Sequence, residues 1–291
     1  MQTKRKGIIL AGGSGSRLYP ITKATSKQLI PVYDKPMIYY PLSTLMLAGI
    51  KDILIIVNKG QISQFKKILG NGEYFGIKIQ YKEQIKPNGL PEAFIIGEKF
   101  INYENIALIL GDNFFYAQSL TRTLQLATKL KVGAKVFLHP VSNPKLYGIA
   151  TIKNKKILSL TEKPLKTKSN LAITGLYFFD KKAVEFSKML KPSSRNEIEI
   201  VDLLNKYKKR KQLKAEFLGR GGAWLDAGSI DDYHDTTSFV SAIQKRQGFK
   251  IACLEEIAFR KKWINKKVLA ESIKFYGNCD YSKYLRNLLF S

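Results

Sequence analysis

Apolar residues in the first half of the chain gather in short, β-branched runs: GIIL (7–10), DILIIV (52–57), NIALILGDN (105–113) and GAKVFLHPV (133–141), with IKIQYKEQ (77–84) among them. Runs of this length predict strands, and continuous apolar strands belong to sheets covered on both faces. The stretches between them predict helices: MIYYPLSTLMLAG (37–49), QISQFKKILG (61–70), LPEAFIIGEKF (90–100) and SLTRTLQLATKL (119–130). The alternation implies an α/β fold with a mostly parallel sheet. The pattern then changes. YGIATIKNKKILSLTEKP (147–164) alternates like two antiparallel strands around an Asn-Lys turn, and NLAITGLYFFD (170–180) predicts a further strand. Beyond AWLDAG (223–228) the chain turns helical, first over 229–248 and then in shorter helices over 255–290. No linker-like segment or internal repeat divides the 291 residues, so a single unit is expected.

Composition narrows the picture. Apolar residues make up 45% of the chain, enough for a sizeable core. No apolar run reaches the roughly 18 residues of a membrane span. The N-terminus is basic and then briefly apolar, too short for a signal-peptide core. It reads as the first strand of a cytoplasmic protein. Cys253 and Cys279 have no metal-type spacing. The net charge of +26 raises the question of nucleic acid, but the 40 lysines outnumber the 9 arginines and are spread along the chain. Only KYKKRKQLK (206–214) is locally dense. Arginine is the residue suited to forked phosphate and base contacts, so this bias argues against nucleic-acid readout. The same field still attracts polyphosphate anions.

The first strand runs into AGGSGSR, Ala11 to Arg17. A P-loop requires Lys-Ser/Thr after its last glycine, whereas Ser16 and Arg17 follow Gly15. A dinucleotide loop requires a third glycine where Leu18 stands. What remains is a loop whose glycines let the backbone approach an anion, followed by one arginine that binds phosphate oxygens in a fork. A tight turn with a solvated arginine is the alternative. Lys27, in SKQLIPVYDKP (26–36), is a second cation whose type alone does not separate it from the other lysines. Ligands of such sheets bind beyond the carboxyl ends of the strands, which is where the loop and GDN (111–113) fall.

LAGGSGSRLYPIT, SKQLIPVYDKPMIYYPLSTLMLAGIKDILII, PNGLPEAFIIGEKFI, LILGDNFFY, YGIATI, EKPLKTKSN, TGLYFFD, NEIEIVD, GRGGAWLDAGS and EEIAFRKKWI follow one another in this order over essentially the whole chain. Together they resemble the sugar nucleotidyltransferases, and among them the branch that joins dTTP to α-D-glucose 1-phosphate. The resemblance implies a Rossmann-like sheet flanked by helices, with a sugar-binding β subregion and a helical C-terminal part. Residues 1–113 would mainly bind nucleotide, 114–228 sugar, and 229–291 would form the oligomer and regulatory surface of a homotetramer. It also implies a Mg²⁺-dependent in-line displacement giving dTDP-glucose and pyrophosphate, the first step of dTDP-rhamnose-type synthesis. Such chemistry asks for positioning and charge neutralisation more than for a general base. That suits a chain with two histidines, His139 and His234, both outside the matched blocks.

By the same resemblance, Leu10, Ala11, Gly12, Gly13, Gly15, Ser16 and Arg17 would hold the triphosphate, with Lys27 and Gln28 beside it. Arg17 and Lys27 would balance charge on the reacting phosphates. Gln84 and Gly89 would contact thymine. Asp112 and Asp226 would bind Mg²⁺, which favours one or two carboxylates with phosphates and water. Asn113, Gly148, Glu162, Lys163, Ile173, Arg195 and Trp224 would form the sugar-phosphate side. Two alternatives stay open: Asp112 as a helix cap, and Asp231, Asp232 or Asp235 in place of Asp226. The same chemistry with UTP, and a non-catalytic nucleotide-sugar sensor, also remain. Several residues depart from the family pattern: Ser16 for threonine, Pro91 and Glu92 beside the base loop, a glycine and a threonine missing from NEIEIVD, glycine for tyrosine in GRGGAW, and Ala117 for glycine. The last lies, with EEIAFR, where relatives bind a feedback nucleotide, here expected to be a dTDP-sugar.

Overall fold

The computed structural model describes residues 5–154 and 156–290. Its strands are β1 (Arg5–Ala11), β2 (Pro31–Val32), β3 (Lys35–Pro36), β4 (Asp52–Asn58), β5 (Lys78–Gln84), β6 (Asn105–Leu110), β7 (Asn113–Tyr116), β8 (Ala134–Pro140), β9 (Gly148–Lys153), β10 (Lys156–Glu162), β11 (Leu171–Phe179), β12 (Leu213–Phe217) and β13 (Ala223–Asp226). The helices are α1 (Tyr39–Leu47), α2 (Ile62–Leu69), α3 (Glu92–Ile96), α4 (Glu98–Ile101), α5 (Leu120–Thr128), α6 (Lys182–Lys188), α7 (Ile200–Lys209), α8 (Ile230–Gln247), α9 (Leu254–Arg260), α10 (Lys266–Tyr276) and α11 (Asp280–Asn287).

The central sheet runs β10-β9-β11-β6-β1-β4-β5, with β8 also on β11 and β12 parallel to β8. Its β6-β1-β4-β5 half is wholly parallel: β1 lies between β4 and β6, and β5 follows β4. Of these, β1, β4 and β6 are the apolar runs, buried almost throughout, while β5 is a more polar edge strand. One core packs a face of the sheet against α1, α5 and the C-terminal helices, and a second packs the other face against α3, α4, α6 and α7. The alternating stretch becomes the antiparallel β9–β10 pair. Lys155 of the expected turn lies outside the described residues. Entering antiparallel to β6, β11 joins the two halves.

The structure departs from the pattern in three places. The run 105–113 breaks after Leu110, and β7 leaves the main sheet to pair with β13. The helix expected over 90–100 is two short pieces, α3 and α4, meeting at Gly97, where a Cβ would lie 2.9 Å from the Ala93 carbonyl oxygen. The lysine-dense 206–214 falls on the end of α7 and on β12. Ile200, Val201, Leu203, Leu204 and Tyr207 are the buried residues of α7, so Lys208 and Lys209 belong to its solvated face.

At the amino end of the sheet, buried Arg5 donates to the carbonyls of Ile106 (2.6 Å), Phe179 (2.9 Å) and Leu130 (2.5 Å). It thereby ties β6, β11 and the end of α5 together. Arg5→Leu strands these acceptors, and each buried unpaired group costs about 1–3 kcal/mol. Urea unfolding is expected to show a loss of about 3 kcal/mol or more; a loss within measurement error would count against this clamp.

Candidate active site at the carboxyl edge of the sheet

Parallel register delivers Ala11, Asn58, Gln84 and Gly111 to one edge. Val57 pairs with Ala11, and Asn58 with Gln84. The glycine loop leaves β1 here. Gly13 adopts φ 98° with open space where a Cβ would be, so its glycine serves conformation. Gly12 serves space: a Cβ there would lie 2.7 Å from Gln84 Oε1. Asn58 clamps the loop, its Oδ1 accepting from Gly13 N (3.0 Å) and its Nδ2 donating to Gly13 O (2.8 Å). Thr22 steadies the far end by donating to Gly15 O (2.7 Å). Buried Gln28 sits over Gly111, its Oε1 accepting from Ser26 Oγ at 2.8 Å.

The departure of β7 from the main sheet creates the acidic pair. Asp112 is the hinge between β6 and β7, and a strand follows it, so it caps no helix. In the β7–β13 ladder Asp226 lies opposite Asn113, and Ala227 N donates to Asp112 O (3.2 Å). Asp231 and Asp232 instead occupy the first turn of α8, where acidic side chains suit the helix dipole. Lys27 Nζ donates to Asp112 Oδ2, and Asn113 Nδ2 donates to Asp112 Oδ1 (3.0 Å). Burial raises the Asp112 pKa, but Lys27 and these hydrogen bonds outweigh it and hold the carboxyl below its ordinary value. Asp226 is pushed from 3.8 up to about 7 by burial and by the Asp112 charge beside it, with Lys27 and Arg17 only partly compensating. The Arg17 guanidinium reaches Gly228, where a Cβ would meet it at 2.9 Å. A half-neutralised pair of carboxylates between two cations is a donor set suited to a hard divalent ion.

A second group assembles on β9–β11. Gly148 pairs with Glu162, and a Cβ at Gly148 would meet Glu162 Oε2 at 3.0 Å and Ile173 Cδ1 at 3.5 Å. Arg195 reaches Glu162 at 3.5 Å and Glu199 at 2.7 Å. Burial and the Glu199 charge raise the Glu162 pKa, against Arg195 and Lys163. Lys163 is exposed, with φ 40°, and its backbone N donates to Tyr147 O at 3.1 Å. Tyr147 joins the two groups: its ring meets Trp224 edge-on at 5.1 Å. Trp224 Nε1 in turn donates to Asn113 Oδ1 (2.6 Å), which also accepts from Gly175 N (3.0 Å). The Asn113 side chain is thus buried and bonded at both ends, a support for Asp112.

A tight loop follows β5. Gly89 has φ 108°, and a Cβ there would lie 2.1 Å from Ile198 O, so only glycine fits. Gln84 Nε2 donates to Glu92 Oε2 (2.5 Å). Asn58, Tyr147, Glu199 and the role of Glu92 were not legible beforehand. Asn58 alone had a signal, its place at the carboxyl end of the strand beside β1. A separate cleft of about 190 Å³ lies between α1, β7 and residues 249–257, lined by Tyr40, Phe114, Tyr116, Ala117, Ile251 and Glu256 among others.

The nucleotidyl transferase family model matches residues 6–242. The chain is similar to the glucose-1-phosphate thymidylyltransferase of Neisseria meningitidis serogroup A, at 53% identity over 98% of this chain and 99% of the relative. It is also similar to that of Mycobacterium tuberculosis, at 45% over 98% and 99%. Among solved structures, a Bacillus anthracis protein assigned to the same activity and crystallised with sucrose aligns with TM-score 0.75 and 41% identity, covering 81% of this chain and 94% of that one. A UDP-glucose pyrophosphorylase in complex with UDP-glucose aligns with TM-score 0.70 and 27% identity, over 84% and 99%.

The raised Asp226 pKa has a consequence for stability. Between 3.8 and about 7 the folded, metal-free chain retains a proton that the unfolded chain releases, so this group's contribution to stability falls as pH rises through that window. In EDTA, thermal melting of the wild type is expected to drop between pH 5 and pH 8 more than that of Asp226→Asn, and a divalent ion should narrow the gap. Coincident profiles without metal would count against the repulsion between the two carboxylates.

Proposed function

The chain belongs to the nucleotidyl transferase family, and on that premise we propose that this site transfers dTMP from dTTP to α-D-glucose 1-phosphate, releasing pyrophosphate and dTDP-glucose. The observation that carries the mechanism is the Asp112–Asp226 pair, set by the β7–β13 ladder, with the glycine loop and the Gly148–Glu162–Ile173 cluster as its neighbours. A sugar-phosphate oxygen attacks the α-phosphorus. A new P–O bond forms, the bond to the β-phosphate oxygen breaks, and its electron pair leaves with pyrophosphate. The attacking oxygen is already anionic, so no side chain need remove a proton.

The loop from Leu10 through Gly12, Gly13, Gly15 and Ser16 cradles the triphosphate, clamped by Asn58. Arg17 and Lys27 offset the charge that moves toward the departing pyrophosphate. Gln84 and Gly89 border the base. Lys163 and Arg195 take the sugar phosphate, and Glu162 accepts from sugar hydroxyls. Asp112 and Asp226 would hold one Mg²⁺, which when bound draws charge from the α-phosphate. Lys27 keeps Asp112 anionic and fixed for that role. The cleft lined by Tyr40, Tyr116, Ala117 and Glu256 is assigned to a feedback dTDP-sugar, and the C-terminal helices to contacts in a homotetramer. The product would supply rhamnose-type sugar synthesis in the cytoplasm.

Pyrophosphate release measured across dTTP, UTP, dCTP and ATP with several sugar 1-phosphates tests the assignment. Turnover is expected to be fastest with dTTP and glucose 1-phosphate. Turnover far higher with UTP would make the protein a uridylyltransferase. Binding of a dTDP-sugar without pyrophosphate release at any Mg²⁺ concentration would make it a nucleotide-sugar sensor. Asp112→Asn and Asp226→Asn should each lower kcat about a hundredfold or more with the fold retained by circular dichroism, and near-normal rates in both would refute the metal ligands. Lys163→Ala should raise KM for glucose 1-phosphate about tenfold, the value of one charge-assisted contact; unchanged kinetics would remove Lys163 from the site.

A further inference from the structure

Gln84 is almost fully buried at the end of β5, with 4% of its surface exposed. Its two amide ends face different neighbours. Nε2 donates to Glu92 Oε2 at 2.5 Å. Oε1 lies over the Cα of Gly12, where a Cβ would approach it to 2.7 Å, on the side of the glycine loop. An amide alone has no preference between these orientations, since oxygen and NH₂ have nearly the same shape. Glu92 supplies the preference. An ionised carboxylate only accepts, so the NH₂ must turn toward it and the carbonyl oxygen must turn away, toward the loop. Glu92 is itself fixed. Its Oε1 accepts from Asn88 Nδ2 (2.8 Å) and its Oε2 from Asn88 N (3.3 Å). It stands at the first position of α3, where an anion suits the dipole.

We infer that Glu92 is a positioning residue that sets base selectivity by locking Gln84 with its carbonyl oxygen toward the nucleobase, so that the site favours pyrimidines carrying N3–H over cytosine. This rests on the proposed placement of the base beside Gln84. Thymine and uracil present a donor at N3, which the fixed oxygen accepts. Cytosine presents a lone pair there, which the same oxygen repels. A hydrogen-bonding mismatch against a buried polar group discriminates strongly.

The test is the ratio of kcat/KM for dTTP to that for dCTP, with glucose 1-phosphate saturating, in wild type, Glu92→Ala, Glu92→Gln and Glu92→Lys. Glu92→Ala is expected to lower the ratio about tenfold or more, mainly through a higher KM for dTTP and a lower one for dCTP, with kcat for dTTP changing less. Glu92→Gln should recover most of the ratio, because its side-chain oxygen can still accept from Gln84. Glu92→Lys offers only donors, turns the amide over, and should move the preference furthest toward dCTP. An unchanged ratio in the Ala and Lys variants overturns the inference. So does an equal loss for both nucleotides, which would mean that Glu92 merely holds the loop through Asn88. Gln84→Ala separates the two levels: if it remains active with the wild-type ratio, the base does not lie beside Gln84, and both the placement and the inference fall.

Discussion

The buried amide of Asn113 is the contact on which the site depends. It joins Asp112, Gly175 and Trp224, two of them more than sixty residues away in sequence. Buried polar atoms must be paired, and this side chain is paired at both ends, so three segments are held in one arrangement. Asp112 cannot swing away from Asp226 without stranding the amide. A Cβ at Gly175 would collide with Asn113 Oδ1 at 2.4 Å, so the glycine is what lets β11 approach closely enough to share the network. Trp224, anchored by the same oxygen, meets the Tyr147 ring edge-on and links the acidic pair to the group on β9–β11.

The electrostatics of the site run opposite to those of the molecule. A chain of net charge +26 places two carboxylates side by side at the point where its strands converge. The surrounding positive field suits polyphosphate anions, while the paired aspartates concentrate negative charge at one point, a donor set suited to a hard divalent ion. Lys27 bonds Asp112, Arg17 reaches Gly228, and the two leave Asp226 incompletely neutralised. The dense lysines of α7 belong to the solvated face of a helix whose other face packs into the core. The charge is therefore general, and the chemistry is local.

The parallel β6-β1-β4 centre of the sheet was legible because its signal is thermodynamic and local: strands buried on both faces must be apolar throughout. The glycine loop was legible because few sequences place so many small residues directly after such a strand. The break at Gly111–Asp112 was not, because an apolar run does not record which sheet its end will join. Nor were α6 and α7 anticipated, since lysine-rich composition hid the apolar face of α7. The residues that support the site, Asn58, Tyr147, Glu199 and Glu92, are ordinary polar side chains. Their importance comes from what they touch.

By itself the sequence determined the α/β class, the order of strands and helices, an anion loop that is neither P-loop nor dinucleotide loop, and, through its ordered motifs, the family. These follow from composition, periodicity and local backbone freedom, all of which act over a few residues. Only the tertiary structure decided that Asp226, rather than Asp231 or Asp232, faces Asp112, that Asn113 supports the pair from within, and that Glu92 orients Gln84. Those outcomes depend on strand register and on pairings across a hundred residues or more in some cases, where a shift of one position would turn each side chain to the opposite face.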